Sequence, residues 1–310
     1  LAQYAYSPAL TSQHYTAQHG LSDNYITALL QDRYGFMWIG TRNGLNRFDG
    51  YDFVHYKNIQ GSANSLSNNY ITSLAEDLNG NIYIGTQGGL NRLNPVEGKI
   101  DRFWHEPQQQ NSIANNKIGD VFADKEGIIW IGAYTVLDRF NPKTNTFTHF
   151  PTGIDPLQYS KELLSIEHIT GFNGELILSV WGAGAYRFNV NTHTFLHIPY
   201  KTETATKFAW PNCFTTDQTG KLLTTDNITY VYNPTQKVFL PLNSPPKSNY
   251  DRVVNSVVIQ ASSGQYYVGT MGSGIVRYDS RFTSPQNLLV DADTGNYYNN
   301  FISVISENTA

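Results

Sequence analysis

Asn24-Tyr-Ile-Thr-Ala-Leu-Leu-Gln-Asp-Arg-Tyr-Gly-Phe-Met-Trp-Ile-Gly-Thr-Arg-Asn-Gly-Leu-Asn-Arg-Phe48 returns with altered wording as Asn69 to Leu93, and more loosely as Asn116 to Phe140. A tandem repeat supplies its own internal alignment: positions that recur are scaffold, and positions that vary inside a constant frame are where specificity can sit. The residue two places before the Gly-Thr gives the period. It falls at Trp38, Tyr83, Trp130, Ile177, Leu223 and Tyr267, in steps of 45, 47, 47, 46 and 44.

Each unit reads as four short strands, a to d. Strand a is Ile26 to Gln31 and ends in Asp32-Arg33-Tyr34-Gly35. Asp at the first corner and Gly at the fourth suit a type I turn, and the pattern recurs at Asp77–Gly80, Asp124–Gly127 and Asp217–Gly220. Strand b is Phe36 to Ile39 and strand c is Leu45 to Phe48. In the third copy, strand d is Phe147 to Phe150. Four-stranded units of about 40 to 50 residues are the signature of β-propeller blades. No amphipathic helical stretch of useful length appears.

These units resemble the two-component regulator propeller repeat. The resemblance is carried by Gly20-Leu21-Ser22-Asp23-Asn24, Asp32-x-x-Gly35, Trp38-Ile39-Gly40-Thr41 and Gly44-Leu45-Asn46-Arg47-Phe48. It is strong over the first three units and recognisable in the sixth, at Tyr267–Thr270 and Gly274–Tyr278. The fourth and fifth have drifted, with Ser179 and Thr225 replacing the strand-b glycine. Similar proteins are large bacterial receptors with N-terminal propellers outside the inner membrane and a histidine kinase or diguanylate cyclase inside. The resemblance therefore implies a periplasmic signal-input module, often followed by a second propeller and a further β domain.

The expected architecture is one all-β propeller spanning residues 1–310. Its blades run at approximately 19–65, 66–112, 113–159, 160–206, 207–250 and 251–298. Both ends extend this scheme. Ser12-Gln13-His14-Tyr15 matches strand d, as Phe53–Tyr56 does, and Asn300–Ile305 matches strand a. The expectation is a seven-position ring with six full blades. Its last blade is composite, with residues 12–18 as strand d and 299–307 as strand a, because closure of that kind removes exposed sheet edges.

Composition narrows the function. Acids exceed bases by four, and 15% of residues are charged, against about a quarter in ordinary domains. With no basic stripe, nucleic acid is an unexpected partner. Cys213 is alone, so no disulfide can form within the chain. No apolar run reaches about 18 residues, the length of a membrane span. Aromatics at 14%, with 21 tyrosines, suit packing between blades and also stacking on sugars.

Three sets of residues invite a chemical reading. Five histidines, His14, His55, His105, His149 and His197, read as sharing one strand-d register. Spaced around a rim, they cannot converge on one metal ion, so they read as structural. His168 lies in strand a, aligned with Leu29, Leu74 and Val121, as a candidate polar group of the channel. Asp291-Ala292-Asp293-Thr294-Gly295-Asn296 looks like a calcium loop, but its glycine is fifth and Ile302 stands at position twelve. An EF-hand puts glycine sixth and Glu twelfth, so the stretch reads as a connector. No metal or cofactor is expected, and no catalytic motif is present. The recurring arginines Arg47, Arg92, Arg139, Arg187 and Arg277 read as independent of the turn aspartates: unit four keeps Arg187 with Gly171 at the aspartate position, and unit five keeps Asp217 with Val231 at the arginine position.

The varying position just after the Gly-Thr frame reads Arg42, Gln87, Tyr134, Trp181, Asp226 and Met271. In a propeller the b–c turns and d–a connectors emerge on one face, at the channel mouth. Six different groups there, with His168, form the expected ligand-binding set, and ordinary turn drift gives the same observation. Trp181 stands out because its turn, Trp181-Gly182-Ala183-Gly184, is one residue longer than its siblings. The leading expectation is a non-catalytic sensor that binds a small molecule, with carbohydrate among the candidates. It would signal through further receptor domains or a homodimer contact. A propeller enzyme of lyase or lactonase type, using His168 with Glu167 and Asp226, is the alternative. A passive interaction scaffold is the second.

Overall fold

The computed structural model describes residues 15–154, 164–201, 213–225, 228–242, 254–271, 274–289, 302 and 304–307. These form six four-stranded antiparallel sheets, each a sequential meander. Blade one is β1 Ile26–Gln31, β2 Met37–Thr41, β3 Gly44–Phe48 and β4 Phe53–Tyr56. Blade two is β5 Ile71–Glu76, β6 Ile82–Thr86, β7 Gly89–Asn94 and β8 Lys99–Phe103. Blade three is β9 Ile118–Ala123, β10 Ile129–Ala133, β11 Val136–Asn141 and β12 Thr146–Pro151. Blade four is β13 Ser165–Phe172, β14 Glu175–Trp181, β15 Gly184–Asn189 and β16 Thr194–Ile198. Blade five is β17 Phe214–Thr216, β18 Leu222–Thr225, β19 Thr229–Asn233 and β20 Val238–Pro241. Blade six is β21 Val254–Gln260, β22 Tyr266–Met271, β23 Ile275–Tyr278 and β24 Gln286–Leu289. Among the described residues the one helical element is a short 3₁₀ turn at Ala17–His19.

The first strand of each blade packs on the first strand of the next, in the series β1, β5, β9, β13, β17, β21. This inner ring is what makes the sheets a β-propeller. Each hydrophobic cluster straddles an interface. Trp38 and Leu45 of blade one meet Leu66, Ile71, Ile82 and Leu93 of blade two, and Trp130 and Phe150 of blade three meet Ile166, Leu178 and Phe188 of blade four. A blade has no core of its own; burial comes from its neighbours, as in other repeat folds.

The recurring glycine of strand b has a steric reason. A Cβ on Gly40 would come within 2.7 Å of the Ile71 side chain, and one on Gly269 within 2.7 Å of Ile302. The position is where the next inner strand presses in. The turn aspartates do more than form turns. Asp32 accepts from the Tyr34 and Phe36 N–H groups and from Trp38 Nε1 at 2.8 Å, and Asp124 repeats the indole bond with Trp130 at 2.8 Å. The turn thus positions the buried indole that joins two blades. The recurring arginines keep to other partners: Arg92 pairs with Asp101, Arg187 with Glu175, and Arg47 lies over the Phe36 ring.

Both chain ends reproduce contacts seen inside the ring. Tyr15 packs edge-on against Phe48 and Phe53 with ring centroids 4.9 and 5.7 Å away, as Phe103 of blade two packs at steep angles against Phe140 and Phe147 at 4.9 and 5.9 Å. At the other end Glu307 accepts the Ser262 N–H at 2.7 Å, as Glu76 accepts the Arg33 N–H at 3.1 Å. Tyr15 thus packs on the outer strands of blade one, and Ile302 and Glu307 pack on blade six. His14, Asp226 and residues 291–296 lie outside the described residues, as does the side chain of Met271.

Three alignments need correction. His168 pairs with Ser179, as Ala28 pairs with Gly40, Ser73 with Gly85 and Asp120 with Gly132. Its register is therefore that of Ala28, Ser73 and Asp120, not of Leu29, Leu74 and Val121. A β-bulge lies near the start of the inner strands of blades one to four and six, and the a–b turn of blade four is one residue shorter, so Phe172 rather than Gly171 stands at the aspartate position. His105 lies beyond β8; the strand-d register of His55 and His149 is held in blade two by Arg102.

Candidate functional site

The b–c turns and d–a connectors share one face, and backbone hydrogen bonds hold them together. Gly44 N–H donates to the Asn69 carbonyl at 2.8 Å and Gly89 N–H to the Asn116 carbonyl at 2.7 Å. Each turn is therefore clamped to the connector leading into the next blade. It is also clamped to its own connector: Arg42 N–H donates to Tyr25 and Gln87 N–H to Tyr70. In blades one and two the turn is closed by a threonine, whose Oγ donates to the glycine carbonyl (Thr41 to Gly44 at 2.8 Å, Thr86 to Gly89 at 2.7 Å).

Arg42, Gln87, Tyr134 and Trp181 all stand at this face, at equivalent ends of strand b in successive blades. Arg42, Gln87 and Trp181 are exposed, Trp181 at 37%. The extra residue of the Trp181 turn is present, because Val180 pairs with Gly184 where Thr41 pairs with Gly44. Sequence reasoning passed over two tyrosines. Arg42 lies 3.4 Å over the Tyr25 ring and 5.8 Å from that of Tyr70. The connector column Asn24-Tyr25, Asn69-Tyr70, Asn116-Lys117 could have revealed them, since it varies beside the same constant asparagine. Among the described residues, this face of blades one and two thus presents a cation lying over aromatic rings.

Tyr134 adopts φ 60°, whereas in blades one and two the left-handed position is at Gly44 and Gly89, both at 120°. Val136 occupies the glycine place in blade three, and the left-handed residue is Tyr134 instead, at a cost of about 1 kcal/mol or more. Its carbonyl accepts the Ile166 N–H at 2.9 Å.

His168 belongs to a different device. Its register points side chains from one inner strand toward the next. Ser73 Oγ accepts the Val121 N–H at 3.1 Å, Asp120 accepts the Ile169 N–H at 2.6 Å, and the Cys213 sulfur accepts the Val258 N–H. Ser73 also donates to Asp120. Burial pushes the Asp120 carboxyl and the Cys213 thiol above their ordinary ranges, as expected for groups stitched between packed strands. His168 packs edge-on against Phe214, and Glu167, the bulge residue before it, is exposed. Ser73, Asp120 and Cys213 fasten inner strands; His168 shares their register, and its buried Nδ1 has no hydrogen-bond partner among the described residues.

The strand-d residues serve a third purpose. His55, Arg102 and His149 each reach a carbonyl of the connector ahead of their own blade, at Gly20 (2.6 Å), Ser62 (3.2 Å) and Gln110 (2.9 Å). A cavity of about 420 Å³ lies on the outer edge of blade two, lined by Arg92, Lys99, Asp101, Arg102, Trp104 and Asn145 among others. Asp101 already pairs with both Arg92 and Lys99 there.

Comparison with known proteins bears on the fold and its repeats. Residues 20–43 and 65–88 match the family described as two component regulator propeller. Histidine kinase P4 of Formosa agariphila is 46% identical over 44 residues, covering 14% of this chain and 3% of that protein. The extracellular domain of the putative hybrid two component system BT3049 of B. thetaiotaomicron superposes with a TM-score of 0.76 at 21% identity, over 96% of this chain and 39% of that one. The corresponding domain of BT4673 gives a TM-score of 0.50 at 16% identity, covering 87% and 46%. PorZ of the Porphyromonas gingivalis type-IX secretion system gives 0.56 at 11% identity, covering 82% and 43%. At these identities the structural likeness is one of fold, and the chain spans less than half the length of each of these structures.

Proposed function

We propose that this chain, a β-propeller built from two-component regulator propeller repeats, is the periplasmic ligand-sensing module of a bacterial signal-transduction receptor. Its role is non-catalytic, and the output lies in a histidine kinase or diguanylate cyclase elsewhere in the receptor. The observation carrying this reading is the mouth face itself. Backbone bonds hold the turns of blades one and two to their connectors, and a different side chain stands at the equivalent place in each of blades one to four, with Arg42 stacked on Tyr25 and Trp181 exposed on a lengthened turn. Stacking rings beside a few fixed polar groups suit a small molecule of the carbohydrate class. A packed ring deforms poorly, so binding would be relayed by shifting a contact with a further domain or a second copy.

The test is a thermal-shift and calorimetric screen of the chain against oligosaccharides and small metabolites. A hit is expected to weaken at least tenfold in Trp181→Ala or Arg42→Ala while the melting temperature holds. Binding that ignores both substitutions would move the site off this face.

The ring closure belongs to the same reading. Residues 12–18 and 299–307 are proposed as strands d and a of one composite seventh blade, supported by the Tyr15 and Glu307 contacts. Ile302→Asp should then destabilise blade six much as Ile118→Asp destabilises blade two. An unchanged melting temperature for Ile302→Asp would refute the assignment.

A further inference from the structure

Asp138 is fully buried at the register held by Asn46 and Asn91 in the two preceding blades. Those amides are used alike. Oδ1 accepts the N–H of Ser22 or Ser67, both at 2.8 Å, and Nδ2 donates to the same serine's Oγ and to the carbonyl of Ile39 or Ile84. Blade three changes three members together: Asp138 for asparagine, Ala114 for serine, and Ala133 for threonine.

A carboxylate keeps the accepting half of this arrangement, and Asp138 Oδ2 takes the Ala114 N–H at 2.7 Å. It has no N–H for the donating half. Instead Oδ1 faces Nδ1 of His149, its cross-strand partner, at 2.6 Å. The other ring nitrogen, Nε2, lies 2.9 Å from the Gln110 carbonyl. A carbonyl only accepts, so Nε2 must carry hydrogen. The Nδ1–Oδ1 bond then needs a further proton, on the imidazole or on the carboxyl. With that proton both bonds form; without it, two acceptors face a ring that has one N–H.

We propose that Asp138 and His149 form a proton-binding site that fastens the connector between β8 and β9, residues 104–117, and releases it when the proton is lost. The titratable groups facing Asp138 are His149 and His105, and the one facing His149 is Asp138. His105 also bonds the connector, through Nδ1 to the Ile113 carbonyl at 2.8 Å. Burial pushes the Asp138 carboxyl up to about 6. Burial opposes charge on His149, but the Asp138 hydrogen bond and charge outweigh it and raise the imidazole. Both shifts retain the proton toward neutral pH. The connector ends at the mouth: Asn116 takes the Gly89 N–H through its carbonyl and the His105 N–H through its side chain. Release would therefore reach the Gln87 turn. The inference concerns protons and stands whether or not the mouth binds a ligand.

Hydrogen exchange of peptides spanning residues 104–117 tests it, with rates corrected for intrinsic pH dependence. Protection should fall about tenfold, one unit of proton affinity, between roughly pH 5.5 and 8. Asp138→Asn should flatten that response, because an amide donates at every pH. His149→Gln, which supplies an N–H to Gln110 at any pH, should flatten it too. Protection independent of pH in the unaltered chain, or full pH dependence retained in Asp138→Asn, would overturn the proposal. Should a variant unfold, ¹⁵N and ¹³C shifts of the unaltered chain at about pH 6 decide it. An ionised Asp138 beside an imidazole with a bare nitrogen would end the idea.

Discussion

In blade two the corner behind the b–c turn is closed by Asn91, Ser67 and Thr86, and in blade three by Asp138, Ala114 and Ala133. The first set is neutral, and each hydrogen bond is internal: Asn91 to Ser67 and Ile84, Ser67 beside Thr86, Thr86 to Gly89. The second set gives up the hydroxyls and borrows a partner from strand d, His149. The fold accepts both because one bond is kept: Asn46, Asn91 and Asp138 all present an acceptor to a connector N–H. What differs is dependence on pH. An amide corner is indifferent to it, whereas a carboxylate–imidazole corner holds its full set of bonds only with an extra proton.

The largest expected effect is on the neutral corner. Asn91→Ala would leave the part-buried Ser67 N–H without its acceptor, remove the donor to the Ser67 hydroxyl and the Ile84 carbonyl, and open a cavity in a fully buried corner; a lost partner costs about 1–3 kcal/mol. A loss of about 3 kcal/mol in urea unfolding, the same at about pH 5.5 and 8, is expected. Asp138→Ala should cost less than about 1 kcal/mol at the higher pH, where the carboxylate is already a liability. Equal costs there would erase the contrast between the blades.

Next in size is Asp138→Asn. A carboxyl raised in the folded state contributes stability that is complete below its unfolded value and lost as pH rises through about 6. The raised His149 acts in the same direction, its contribution present below its ordinary value and lost at higher pH. The asparagine variant should therefore be the more stable protein at about pH 8, by roughly 1–2 kcal/mol, with the advantage shrinking on acidification. Melting curves at several pH values check this, and an advantage that grows on acidification would reverse the assignment.

These predictions rest on features of unequal legibility in the sequence. The propeller was readable because a buried column recurs: Trp38, Tyr83, Trp130, Ile177 and Leu223 fall in one structural register, as their spacing implied. The face carrying Arg42, Gln87, Tyr134 and Trp181 followed from the same counting. Local irregularity defeated the counting elsewhere. A bulge and a shortened turn displaced His168 by one residue, and His105 sat past the end of its strand. Asp138 was visible in its column, but its meaning depends on the Ala114 N–H from a connector 24 residues away and an imidazole on the adjoining strand. No single repeat position contains that information.

The smallest effect separates the two corners at their turns. Losing Thr and Gly together moved the left-handed residue from Gly44 and Gly89 to Tyr134, at φ 60°. A glycine there has no Cβ to clash with the following carbonyl, so Tyr134→Gly should relieve about 1 kcal/mol of backbone strain, offset in part by the lost ring contacts and the added chain entropy. A net change within about 0.5 kcal/mol is expected, with any ligand affinity lowered. If the variant instead loses 2 kcal/mol or more, the ring is anchoring the turn, and Tyr134 belongs to the scaffold rather than to the variable face.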